Sequence, residues 1–209
     1  MTISEEKGCK HPEKEIRAVH DEKTIRVYQA YSDEIANSAV KHHTFVSPPF
    51  KLTRMTWIKP SFLWMMYRAG WSYKDKNQKR ILAIDITREG FQWALQNSCL
   101  SSHHGGTQAA EDWQTVKEHS PVRIQWDPER DIYLNRLDYR SIQIGLSGEA
   151  VERYCRDWID SITDITELAR QIKADVDAKN LDAARALLPR EESFQIPSGL
   201  ALRIGLTKA

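Results

Sequence analysis

A chain of 209 residues, 41% hydrophobic and 28% charged, has the composition of one globular domain. That length buries roughly 70% of the unfolded surface. No apolar run reaches the ~18 residues of a membrane span, so no membrane partner is expected. Cys9, Cys99 and Cys155 are too scattered for a disulfide framework or a metal-site spacing. The first residues lack the apolar core of a secretion signal and are too acidic for a transit peptide, so a cytoplasmic or nuclear protein is expected.

The net charge of +1 hides a local asymmetry. Between Lys51 and Arg88 there are nine cations (Lys51, Arg54, Lys59, Arg68, Lys74, Lys76, Lys79, Arg80, Arg88) against two acids, Asp75 and Asp85. Such a field favours anionic ligands, although a run like 74–80 also reads as a solvated loop.

In chain order, residues 1–23 are polar and charge-mixed and read as a flexible arm. A single globular domain is expected over 24–209. Residues 25–31 alternate as a strand, with Arg26 and Tyr28 on one face and Val27, Gln29 and Tyr31 on the other. Ser32 caps a helix with Asp33 and Glu34 in its first turn, and Ser47-Pro48-Pro49 reads as a rigid extended loop. A strand is expected over 51–58, then a helix with Pro60 at its first position and Gly70 as its stop. Trp57, Trp64 and Trp71 are seven apart, but Pro60 breaks a continuous heptad. Residues 81–86 read as a buried strand, and Thr87 caps the helix after it.

Ser101 to Gly106 reads as a mobile loop, followed by a helix over 109–119. The strand 122–126 leads through the turn 127–129 into a hairpin, and 140–146 is a further strand. Ser147 caps a helix over 148–161. Two more helices cover 165–178 and 181–188, and the tail 194–206 lies over the domain. On the first of these two, Ile165, Leu168, Ile172 and Val176 form a stripe suited to packing on its own sheet. The expected class is α+β: a mainly antiparallel sheet, whole or split, with flanking helices and a helical C-terminal part. GxGxxG and GxxxxGK[ST] are both absent, against a doubly wound fold.

No metal is predicted, because His42-His43 and His103-His104 are adjacent pairs and neither HExxH nor CxxC occurs. Ser147 is not in GxSxG. The candidate chemistry lies in polar residues on strands, which are costly there unless hydrogen-bonded. They either satisfy one another inside the core, for example as an Arg54–Asp127 pair, or line a pocket. In the pocket reading, Arg54, Lys59 and the helix start at Pro60-Ser61 hold phosphate, and Trp57, Tyr67 or Trp71 stack on a base.

Five segments resemble the family called Domain of Unknown Function 4291. They are IRVYQAYSDEIANSAV, RMTWIKPSFLWMMYRAGW, ILAIDITREGFQWAL, VRIQWDPERD and RSIQIGLSGEA, and the resemblance runs from Ile25 to near Leu206. Thr56 to Tyr67 also looks similar to the DarT-like ADP-ribosyltransferases of nucleic acid, where a polar strand runs through proline into a helix rich in Met, Leu and Tyr. That second resemblance implies NAD as cofactor and a glutamate on a late strand, yet no clear QxE is present and the chain reads Gln125-Trp126-Asp127. The candidate catalytic residues are therefore Glu129, Asp127 and Arg26. The candidate cofactor-binding residues are Tyr28, Gln29, Arg54, Thr56, Lys59, Tyr67, Gln125 and Gln143. The expected function is an ADP-ribosyltransferase-like enzyme that binds NAD and acts on nucleic acid or a small molecule. The alternative is a non-catalytic nucleic-acid-binding module using the basic 51–88 surface.

Overall fold

Two antiparallel-rich sheets meet edge to edge at one pair of residues, and that seam positions everything that follows. A computed structural model describes residues 11–102 and 107–206. The first sheet has three antiparallel strands in the order β2 (Thr24–Tyr31), β4 (Arg80–Thr87), β8 (Ile159–Asp164). The second has four, in the order β3 (Thr56–Ile58), β7 (Arg136–Leu146), β6 (Val122–Arg130), β5 (Ser98–Leu100), with only β5 and β6 parallel. At the seam the Tyr28 N–H donates to the Lys59 carbonyl at 2.7 Å, and the Lys59 N–H returns to the Tyr28 carbonyl at 3.3 Å. The sheet is thus split, within an α+β domain.

Two helices start at their predicted caps, while α5 (Glu149–Arg153) starts at Gly148 without the side-chain cap expected from Ser147. α1 (Asp33–His42) starts at Ser32, whose side chain accepts from the Ile35 amide. α3 (Arg88–Gln96) starts at Thr87, whose Oγ1 accepts from the Gly90 amide at 3.1 Å. Gly90 is required by packing: a Cβ there would lie 2.4 Å from the Trp158 ring. α2 (Phe62–Ala69) is capped by Ser61, so Pro60 stands one residue before the cap and not at the first helical position. Gly70 ends α2 at φ 56°, a left-handed conformation that costs glycine little.

One apolar core draws on both sheets, gathering Val27, Ile84 and Ile86 with Ile124, Ile142 and Ile144. A second lies on the outer face of the three-stranded sheet. There Met65, Met66 and Ala69 of α2 pack with Ile81, Ala83, Ile172 of α6 (Thr166–Asp177) and Ala184 of α7 (Leu181–Leu187). The stripe Ile165, Leu168, Ile172 and Val176 joins this core, as expected of a helix covering its own sheet.

Several local expectations give way to tertiary structure. Residues 51–54 turn, and only Thr56–Ile58 extend. Ser47-Pro48-Pro49 turns too, with the Phe50 amide reaching the Val46 carbonyl at 3.1 Å. β6 runs through Pro128 to Arg130 with a register shift, and the hairpin turn falls at Asp131, which accepts from the Tyr133 and Asn135 amides. The helix expected over 148–161 is α5 (Glu149–Arg153) followed by a wide turn over Tyr154–Trp158. The chain then becomes β8, because β4 offers an open edge at that point. Of the expected arm, residues 11–23 are docked. β1 (Arg17–Ala18) pairs with β9 (Glu192–Ser193), and Ile16 and Ala18 are buried. α4 (Thr107–His119) follows β5, and α8 (Ser198–Arg203) and the residue after it place Leu200 and Ile204 in the first core. The loop residues 103–106, with the pair His103-His104, lie outside the described residues.

Candidate functional site

Beside the seam opens a cleft of about 760 Å³, reached by four strands, the 47–55 turn region and α2. Its floor is a satisfied polar cluster. Gln29 Nε2 donates to Thr56 Oγ1 at 2.7 Å and to Tyr31 Oη at 2.9 Å, while Tyr154 Oη donates to Gln29 Oε1 at 2.8 Å. These bonds explain how Gln29 and Thr56 sit buried at strand positions without the cost of orphaned polar groups. One wall is Trp57, opposite Gly145 in register. A Cβ on Gly145 would lie 3.0 Å from the Trp57 ring, so the missing side chain is what admits the indole against β7.

The back of the cleft carries a carboxylate. Gln125 and Gln143 line the cavity and are directly paired across β6 and β7. Each turns its amide on Asp127, Gln125 Nε2 to Oδ1 at 2.9 Å and Gln143 Nε2 to Oδ2 at 2.6 Å. Asp127 is half-buried and forms no salt bridge, so the expected Arg54–Asp127 pair is absent among the described residues. Two neutral amides fix both carboxylate oxygens, and the Lys59 ammonium is the cation that feels its charge.

Cations line the rest. Lys51, Arg54 and Arg68 are exposed, and none forms a salt bridge among the described residues. Other cations are paired with acids, Arg26 with Asp85, Lys79 with Asp33, Arg80 with Asp164 and Arg170 with Glu167, while exposed Lys41 and Lys76 are likewise in no salt bridge among the described residues. Lys59 is the fourth cation, only 5% exposed. Its Nζ has one hydrogen bond among the described residues, to the Trp57 carbonyl at 3.4 Å. Burial first, then the Arg68 charge, bring its ammonium down to about 7, against a smaller upward pull from Asp127.

The cleft thus gathers Gln29, Arg54, Thr56, Lys59, Gln125 and Gln143, with Asp127 bonded behind them. Four other candidates lie elsewhere. Arg26 is tied to Asp85, its cross-strand partner, at 2.8 Å through two nitrogens. Tyr28 is fully buried against Phe62 in the outer core. Tyr67 is 40% exposed on α2, stacked on Trp64 with the Arg130 guanidinium 3.6 Å from its ring centre. Glu129 is 5% exposed beneath the start of α2, accepting from Ser61 Oγ at 2.9 Å and from the Arg130 amide at 2.8 Å.

The amide end of α2 also differs from expectation. The Phe62 amide donates to Glu191 Oε1 at 2.6 Å and the Trp64 amide to Ser61 Oγ at 3.1 Å, so these donors are taken by side chains of the protein and do not face the cleft. α2 contributes its body instead, through Met65 and Arg68. Burial pushes the Glu191 carboxyl up to about 8, aided by the Glu129 charge and opposed by the Phe62 amide; burial raises Glu129 as well. Glu191 was invisible in the sequence, because nothing in a short polar connection marks a carboxylate as the cap of a helix 129 residues earlier.

A family model described as Domain of unknown function (DUF4291) matches residues 15–194. The chain belongs to that family. In this member of domain of unknown function 4291, the matched span contains every residue lining the cleft, and Glu191. No curated protein matches the chain. Among the described residues no group of three His, Cys, Asp or Glu side chains could hold a metal, and no helix is long and apolar enough to cross a membrane. Burial pushes the Cys155 thiol up to about 12, which argues against a cysteine nucleophile there.

Proposed function

We propose that the cleft binds a nucleotide through its phosphates, that this nucleotide is NAD, and that the protein transfers its ADP-ribosyl group to a nucleic acid or a small molecule. The observation that carries the reading is the gathering of Lys51, Arg54 and Arg68, none of them in a salt bridge among the described residues, around one cavity large enough for such a ligand, with Asp75 the acid that also lines it. Arg54 and Arg68 bind the pyrophosphate by charge-assisted hydrogen bonds. Trp57 offers an aromatic wall for a base. Asp127 takes the role of the catalytic carboxylate in preference to Glu129, because its two glutamine partners line the cavity.

In that reaction the bond from the ribose C1′ to the nicotinamide nitrogen breaks, and nicotinamide leaves with the electron pair. The sugar develops positive charge, which Asp127 stabilises electrostatically from a fixed position. The acceptor's nucleophilic atom then bonds to C1′ and releases its proton to solvent.

The test is nicotinamide release from NAD by the wild type and by Asp127→Asn. The variant is expected to lose about 100-fold or more in rate while NAD affinity stays within several-fold. An unchanged rate removes Asp127 from the mechanism. A wild type that releases no nicotinamide, and whose melting temperature neither NAD nor ADP-ribose raises, overturns the reading. Salt-sensitive oligonucleotide binding in that case favours the nucleic-acid module. Two of that module's expected contacts, Lys79 and Arg80, are engaged by Asp33 and Asp164.

A further inference from the structure

Lys59 is the buried ionisable group whose setting the nucleotide reading does not need. A lysine held at a strand end and 5% exposed normally carries a carboxylate partner, since an unpaired buried ammonium is costly. Among the described residues this one forms no salt bridge and has a single hydrogen bond, to the Trp57 carbonyl at 3.4 Å, with the Asp127 charge a smaller favourable influence, and it lines an open cavity of about 760 Å³. Its main chain is pinned on both sides of the seam by the two hydrogen bonds to Tyr28. Pro60 follows immediately, so the backbone that carries the amine is rigid. Desolvation and a neighbouring cation, Arg68, are the two conditions that keep a lysine amine neutral and nucleophilic.

We infer that Lys59 is a carbonyl-reactive amine, and that the cleft takes anionic aldehydes, phosphorylated ones above all, as covalent but reversible ligands at Nζ. The neutral amine adds through its lone pair to the aldehyde carbon. The carbonyl oxygen takes up a proton to give the carbinolamine hydroxyl. That hydroxyl leaves as water with the remaining nitrogen proton, and the imine forms. Lys51, Arg54 and Arg68 supply the charge that selects a phosphate on the aldehyde. The inference rests on the anion-binding part of the preceding proposal and is independent of NAD. The Lys59 ammonium, brought down to about 7, is largely deprotonated at mildly alkaline pH, where exposed lysines remain charged.

The experiment is brief labelling of the intact protein with pyridoxal 5′-phosphate at pH 7.5, trapping with borohydride and mapping of the modified lysines by mass spectrometry. Lys59 is expected to take most of the label, ahead of the exposed Lys41, Lys51 and Lys74. Pyridoxal, which lacks the phosphate, is expected to label it at least about tenfold less, the loss of one charge-assisted contact. Label spread over the exposed lysines, with Lys59 at or below them, overturns the inference, and equal labelling by pyridoxal overturns its anionic part. Added ADP-ribose separates the two proposals. Lys59 labelling that ADP-ribose fails to block keeps this inference and counts against the nucleotide reading. ADP-ribose binding with no labelling at Lys59 does the reverse. Lys59→Arg, which keeps the charge and removes the nucleophile, is expected to lose the dominant labelled peptide.

Discussion

The two sides of Pro60 bury ionisable groups of opposite sign in opposite ways. Before the proline, Lys59 faces an open cleft with one long hydrogen bond to a carbonyl. After it, Ser61 and the Phe62 amide meet Glu129 and Glu191: Glu129 receives a side-chain and a backbone donor, and Glu191 receives the helix amide. Both regions pay desolvation, and the second offsets part of it through hydrogen bonds within the protein, with burial still raising both carboxyls. A buried charge answered by a helix amide is part of the fold. In the proposed reading, a buried amine with one long hydrogen bond beside exposed cations is available to a ligand.

The largest effect expected from this contrast is at Lys59. Its folded pKa of about 7 lies below the ordinary lysine value of 10.5, so between these pH values the unfolded chain holds a proton that the native protein lacks, and stability rises with pH. Lys59→Met is therefore expected to stabilise the protein by about 2–4 kcal/mol at pH 6, with the gain shrinking above pH 7. Urea unfolding across pH measures this. A destabilised variant would mean that the ammonium is satisfied after all.

A smaller effect of opposite slope is expected at Glu191. Its folded pKa of about 8 lies above the ordinary glutamate value of 4.5, so the native protein holds the extra proton in that window and stability falls as pH rises. Glu191→Gln keeps an acceptor for the Phe62 amide and cannot ionise. It is expected to match the wild type near pH 4.5 and to exceed it by about 1–3 kcal/mol at pH 8. A variant that loses stability equally at both pH values would place the carboxylate's worth in its charge, and the two sides of Pro60 would no longer differ.

The same contrast explains what was legible in the sequence. Caps at Ser32, Thr87 and Gly70, and the alternation in β2, are local signals, and each formed where the chain says it should. Gln29, Arg54, Thr56, Lys59, Gln125 and Gln143 converge because strand parity and the basic run are local too. Cover is not local. Alternation puts Glu129 in line with Gln125 and Asp127, but α2 and Glu191 close over it from distant parts of the chain. Arg26 and Tyr28 share a face, as the pattern predicts, yet that face meets Asp85 and the α2 core and not the cleft. The helix expected over 148–161 runs into the first half of β8, because the pairing of β8 with β4 leaves no mark in six residues of mixed polarity.

The most direct measurement is calorimetric titration of ADP-ribose into the wild type, Arg54→Ala and Arg153→Ala, the last being a cation already paired with Glu149 on the surface. The account predicts binding to the wild type, a loss of about tenfold or more for Arg54→Ala, and wild-type affinity for Arg153→Ala. Equal affinity in all three proteins, or no binding to any of them, would contradict it.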